Sequence, residues 1–157
     1  MSPKVLVTGV TGYIGGDAFH ALYEANPDFD YTLVVRNKER EELVRRKYPN
    51  TDIKIVYPGA ASPAMSLADV LEEEARKADI VLHTAKSADD AVQAKAILRG
   101  LQAAGRSPEH PAYWIHVSGT GILQWYDQTH NRVGQLPLPS EKYDDIADID
   151  RILTLLD

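Results

Sequence analysis

Five short runs rich in β-branched residues recur along this chain, and a stretch of helical period separates each from the next. The runs are Val5–Thr8, Tyr31–Val35, Ile53–Tyr57, Ile80–Thr84 and Tyr113–Val117. Along most of their length they do not alternate apolar with polar residues. That suits strands covered on both faces. Repeated strand–helix units join parallel neighbours through right-handed crossovers. The expected fold is α/β, a doubly wound parallel sheet in the order 3-2-1-4-5, ending with strand five.

The segments between the runs carry their own signals. Ile14, Ala18, Ala21, Leu22 and Ala25 are expected to form the buried face of a first helix, which Asn26-Pro27 ends. Asn37–Tyr48 is strongly charged, with Leu43 and Val44 as anchors, and predicts a short, mostly solvated helix. Leu67, Val70, Leu71 and Ala75 follow Ser66, whose spacing to Asp69 predicts a capping box. Ala94, Ile97, Leu98, Leu101 and Ala104 make the cleanest stripe, closed by Gly105 as a C-terminal cap. Glu72-Glu73-Glu74 reads as a solvated helix face. His83 and His116, inside strands, read as core histidines, and Tyr113, Trp114 and Trp125 as packing residues.

The turn after the first run is Thr8-Gly9-Val10-Thr11-Gly12-Tyr13-Ile14-Gly15-Gly16, with glycines spaced G-x-x-G-x-x-G. It follows a strand and opens a helix, the setting in which such a loop binds a dinucleotide. Gly9 permits the tight turn, Gly12 lets backbone approach a pyrophosphate, and Gly15 lets the helix lie close to the sheet. The helix start then offers N–H groups and positive dipole to phosphate. The second run ends Val35-Arg36-Asn37-Lys38. A site for NAD places an acid there to accept from the ribose 2′-hydroxyl, whereas a guanidinium grips a 2′-phosphate. The expected cofactor is therefore NADP(H).

With these residues in hand, the chain resembles the atypical or extended short-chain dehydrogenase/reductases, most closely the NmrA-like branch. The resemblance rests on VLVTGVTGYIGG, Arg36, the fourth run in ADIVLHTA and the fifth in HVSGTG, and covers residues 4 to about 121. It implies a Rossmann fold in which Gly9, Thr11, Gly12, Tyr13, Ile14 and Gly15 hold pyrophosphate, and Arg36 and Lys38 the 2′-phosphate. Thr84, Ala85 and Lys86 would lie near the nicotinamide-side ribose, and Ser118 matches the family's active-site serine. Two features depart from the pattern. The acid often found after strand three is replaced by Tyr57-Pro58-Gly59-Ala60. No Y-x-x-x-K, the pair that exchanges a proton with substrate in catalytic members, occurs after Ser118; Tyr126 with His130 is the alternative acid–base pair. The resemblance implies an NADP(H)-dependent oxidoreductase or tailoring enzyme acting on an unspecified small molecule. The alternatives are a non-catalytic NADP(H)-sensing regulator and an interaction module.

The chain has 157 residues, 44% hydrophobic and 25% charged, an ordinary globular mixture. Residues 1–121 read as the nucleotide-binding domain, and 122–157 as a polar excursion and terminal helix that begin a catalytic part. The net charge of −6 disfavours a nucleic-acid partner. With no cysteine there is no disulfide or thiolate-ligated metal, and no metal site is expected. No signal segment and no apolar run near ~20 residues is evident, so a cytoplasmic protein away from membranes is expected. Strand five would be an edge, and Ile146, Ile149, Ile152, Leu153 and Leu156 form a terminal stripe. A homodimer packed through that stripe is expected, the alternative being a fold-back over the sheet.

Overall fold

The computed structural model describes residues 2–119, 123–144 and 146–154. The elements run β1 (Lys4–Thr8), α1 (Tyr13–Ala25), β2 (Asp30–Val34), α2 (Lys38–Lys47), β3 (Lys54–Val56) and α3 (Leu67–Lys77). There follow β4 (Ile80–His83), α4 (Ala91–Ala103), β5 (Tyr113–His116), and the short α5 (Trp125–Thr129) and α6 (Ile149–Leu153). The five strands form one parallel sheet in the order β3-β2-β1-β4-β5, as the alternation predicts. Strand β1 lies at the centre, its Thr8 level with Val34 on one side and His83 on the other.

Alternate residues of β1 supply opposite faces of the sheet, because successive strand side chains point in opposite directions. Leu6 joins Val70, Leu71, Val81, Ala96 and Ile97 beneath α3 and α4. Val5 and Val7 join Phe19, Tyr31, Leu33 and Val44 beneath α1 and α2. Burying each large apolar side chain contributes roughly 1.5–3 kcal/mol, so these two layers hold the sheet between its helices. Helices α3 and α4 approach closely at Gly100, where a Cβ would lie 2.9 Å from Ala75 Cβ and 3.1 Å from Arg76 N. The Ser66–Asp69 capping box is present, with Asp69 accepting from both the Ser66 N–H and hydroxyl. Gly105 follows α4 with φ +61°, as its capping role requires.

Several expectations are corrected. The buried residues of α1 are Gly15 and Phe19, whereas Ile14, Ala21 and Ala25 are exposed. The helix turns inward the side that carries Phe19, which packs edge-on against Tyr31 and Tyr48. In α4, Leu98 is exposed, and the smaller Ala96 and Gly100 are buried because α3 lies so near. Glu74 is not solvated: it is buried beside β3, with its carboxylate accepting from Lys54 at 2.6 Å and Lys77 at 3.0 Å. His83 is buried, but His116 is exposed, since β5 is a sheet edge. Burial and the neighbouring His116 both hold the His83 imidazole below its ordinary range. Trp114 packs against the layer under α3 and α4, but Tyr113 and Trp125 are exposed.

Two compact units divide at Val117 and Ser118; the expected boundary at 121/122 lies outside the described residues. The second unit contains α5, a 3-10 turn at Pro139–Glu141 and α6. Among its described contacts, Arg132 donates to Asp127 at 3.2 Å, and Arg151 lies 4.4 Å from the centre of the Tyr143 ring. Ile146 and Ile149 of the terminal stripe are exposed, Leu156 lies outside the described residues, and so does the Leu153 side chain. No described helix is long and apolar enough to cross a membrane.

Candidate nucleotide site

At the carboxyl ends of the strands the first unit opens into a cleft of ≈ 510 Å³, within the range of small-molecule sites. Its floor is the β1–α1 loop. Gly9 has φ +80°, a left-handed conformation that glycine adopts without strain. A Cβ there would sit 3.0 Å from Ala85 N and against the Thr84 hydroxyl. A Cβ at Gly15 would collide with that hydroxyl and with the Gly9 carbonyl. Thr84 holds the two loops together by donating to the Thr8 carbonyl at 2.6 Å, and the Thr8 hydroxyl accepts from the N–H groups of Thr84 and Ala85. Gly12 differs from both. Its Cβ would meet only the Gly9 carbonyl, at 3.2 Å, so the space above it is not filled by protein.

Gly12 is also the N-cap of α1, and no side chain caps that helix and no acid lies in its first turn. The other long helices are satisfied internally: Asn37 caps α2, Ser66 caps α3 and Asp90 caps α4. A helix start leaves N–H groups unpaired and carries partial positive charge, so an uncapped start that lines a cleft suits an anion.

The remaining expected residues fall as follows. Gly9, Thr11, Gly12, Tyr13, Ile14 and Gly15 line the cleft from the loop and α1, with Tyr13 and Ile14 exposed. Arg36 lines it from the end of β2, and Thr84, Ala85 and Lys86 from the β4–α4 loop. Lys86 has φ +47°, a left-handed conformation uncommon for a side chain with a Cβ. Lys38 does not line the cleft: it is the first residue of α2, behind the Asn37 cap. Ser118 opens the second unit and is exposed there. In the same unit the Tyr126 and His130 rings are stacked with centroids 4.1 Å apart, but His130 Nδ1 faces the Tyr126 carbonyl at 2.9 Å.

Sequence reasoning missed a wall of the cleft. Leu67 and Leu71 from α3 and Gln93 from α4 line it, with Val34 and Val35 from β2. The apolar members were assigned to the core alone. Gln93 had a signal, since Asp90-x-x-Gln93 has the spacing of a capping box.

No family model matches the chain. It is 31% identical over 158 residues to the oxidase ucsJ of an Acremonium species, an alignment that takes in 100% of this chain and 42% of that protein. The chain thus spans well under half the length of the curated relative it matches. Among solved structures, isoflavone reductase superposes with a TM-score of 0.50 at 19% identity, over 73% of this chain and 35% of its own. The yeast methylglyoxal/isovaleraldehyde reductase Gre2, solved in complex with NADPH, gives a TM-score of 0.44 at 20% identity, over 64% of this chain and 32% of its own. The cleft thus stands at the strand ends of a Rossmann-type parallel sheet, a fold that isoflavone reductase shares over 73% of this chain.

Proposed function

We propose that this chain is the NADP(H)-binding part of an NmrA-like oxidoreductase of the short-chain dehydrogenase/reductase type. The observation that carries the reading is the start of α1: an uncapped helix N-terminus, preceded by open space over Gly12, at the floor of the cleft. The N–H groups of Tyr13, Ile14 and Gly15 are placed to donate to a pyrophosphate. Arg36, exposed at the rim, is placed to pair with a 2′-phosphate, where an acid would repel it. When bound, the nicotinamide would supply or accept hydride; substrate and proton donor belong to the whole protein.

A hydrogen bond to a charged group contributes roughly 1.5–3 kcal/mol, which corresponds to on the order of tenfold to a hundredfold in affinity. Titration of the chain with both reduced nucleotides, followed by fluorescence, should give NADPH an advantage of at least about tenfold over NADH. Arg36→Asp should shrink or reverse it. Equal affinities in the native chain would overturn the 2′-phosphate assignment, and no binding of either nucleotide would overturn the reading as a whole.

A further inference from the structure

We infer that Gln93 reads the purine of the nucleotide by accepting a hydrogen bond from the exocyclic amine of adenine at its side-chain oxygen. This rests on the nucleotide-binding reading above and goes beyond it, because it assigns base specificity to a residue outside the phosphate loop.

Gln93 is the third residue of α4 and only 8% exposed, yet it lines the cleft. Its amide is held in one orientation. Nε2 donates to Asp90 Oδ2 at 2.6 Å, while Asp90 Oδ1 accepts from the N–H groups of Val92 and Gln93, both at 3.1 Å. A flipped amide would set oxygen against carboxylate, so the charge-assisted bond fixes which end faces away. That end is Oε1. Among the described residues nothing donates to it, and it is not one of the atoms sealed from solvent without a partner. An acceptor open to a cleft is met by water when the cleft is empty, and a ligand that displaces that water without offering a donor leaves it unmet, at a cost.

The neighbours define what that ligand group is. Helix α4 packs on α3, whose Leu67 and Leu71 form the adjoining wall, so the acceptor stands beside an apolar slot. Arg36, Val35 and Val34 approach the same cleft from the end of β2. A flat heterocycle with one amine at its edge fits: the ring lies against Leu67, which Leu71 backs from the core, and the amine meets Oε1. A purine carrying a carbonyl in place of that amine would set oxygen against oxygen. The loop after β3, Tyr57-Pro58-Gly59-Ala60, contains no acid, and Gln93 offers an acceptor from α4.

The test compares NADPH with its deaminated analogue, reduced nicotinamide hypoxanthine dinucleotide phosphate, by fluorescence titration against the native chain, Gln93→Leu and Gln93→Glu. The native chain should bind NADPH about tenfold more tightly than the analogue, the discrimination expected when a buried acceptor loses its donor. Gln93→Leu should remove most of that difference while keeping the melting temperature of a folded protein. Gln93→Glu sets a second carboxylate against Asp90 Oδ2, loses the bond that orients the side chain and should likewise lose the preference for NADPH. Equal binding of the two nucleotides by the native chain overturns the Gln93 assignment and leaves the nucleotide site standing. So does a preference that survives Gln93→Leu. Failure to bind either nucleotide overturns the nucleotide site itself.

Discussion

Helices α1 and α3 both begin at the carboxyl edge of the same sheet, yet they are started in opposite ways. At α3, Ser66 and Asp69 satisfy each other's backbone N–H groups, and an acid sits in the first turn. At α1 the equivalent positions are Gly12 and Gly15, neither of which has a side chain to offer. A side-chain cap contributes about 1 kcal/mol relative to alanine but only a few tenths relative to glycine, so α1 leaves its first N–H groups open at little cost in stability. The contrast separates a helix start that serves the fold from one left open to a ligand. Sequence shows it directly, as S-x-x-D against G-x-x-G at the same spacing.

The comparison breaks most visibly at Gly15. Gly15→Ala drives a methyl group into the Gly9 carbonyl and the Thr84 hydroxyl. The backbone must shift, at a cost on the order of 3 kcal/mol, the upper part of what overpacking exacts. Thermal unfolding should record a drop of about 6–12 °C for a chain this long. An unchanged melting temperature would mean that the loop is looser than its contacts imply.

Gly12→Ser makes α1 resemble α3. The new hydroxyl can accept from the helix's own N–H groups, as Ser66 does, and its Cβ enters space that no protein atom fills beyond the Gly9 carbonyl. Stability should change by only a few tenths of a kcal/mol, the usual difference between serine and glycine at an N-cap. NADPH affinity should fall by at least about tenfold through lost donors and lost room. A variant of native affinity would show that the α1 start holds no phosphate.

The converse change is smaller. Ser66→Ala should cost about 1 kcal/mol, read as a melting shift of about 2–4 °C. The Asp69 carboxyl is held below its ordinary range, first by the Ser66 hydroxyl and then by the Ser66 N–H. Its stabilising effect is therefore complete above the ordinary carboxylate value of about 3.9, and fades as pH falls through the lower folded value. Asp69→Asn should accordingly be destabilising at pH 7, with the difference from the native chain closing as pH falls from the ordinary carboxylate value through the lower folded one. A penalty that is constant with pH would place Asp69's contribution elsewhere.

The strand order was legible because alternation and crossover handedness leave few choices, and the glycine loop because each glycine has its own spatial reason. The faces of α1 and α4 were misread for one cause. Apolar periodicity counts side chains, but where helices and loops approach most closely the buried positions are Gly15, Ala96 and Gly100, which carry almost none. His116 was misread because strand five, though expected as an edge, was given the burial of a central strand; among the described residues β5 has a neighbour on one side only, and its His116 is exposed. Glu74 was misread because its lysine partners lie on β3 and on α3 itself, and the pairing with Lys54 spans twenty residues. Gln93 escaped because its role depends on which end of an amide Asp90 turns outward, a fact of orientation rather than composition.

The close approach at Gly100 makes the cleft a matter of tolerances. Gly100 lies seven residues beyond Gln93 on the same helix, two turns or about 10 Å along the axis. The gap between Leu71 on α3 and Gln93 on α4 is thus gauged by a contact outside the cleft, as the bite of a pair of tongs is gauged at its pivot. Because a bulkier residue at position 100 would spread the two helices, the width available to a planar ring is decided at a point that the ring never touches.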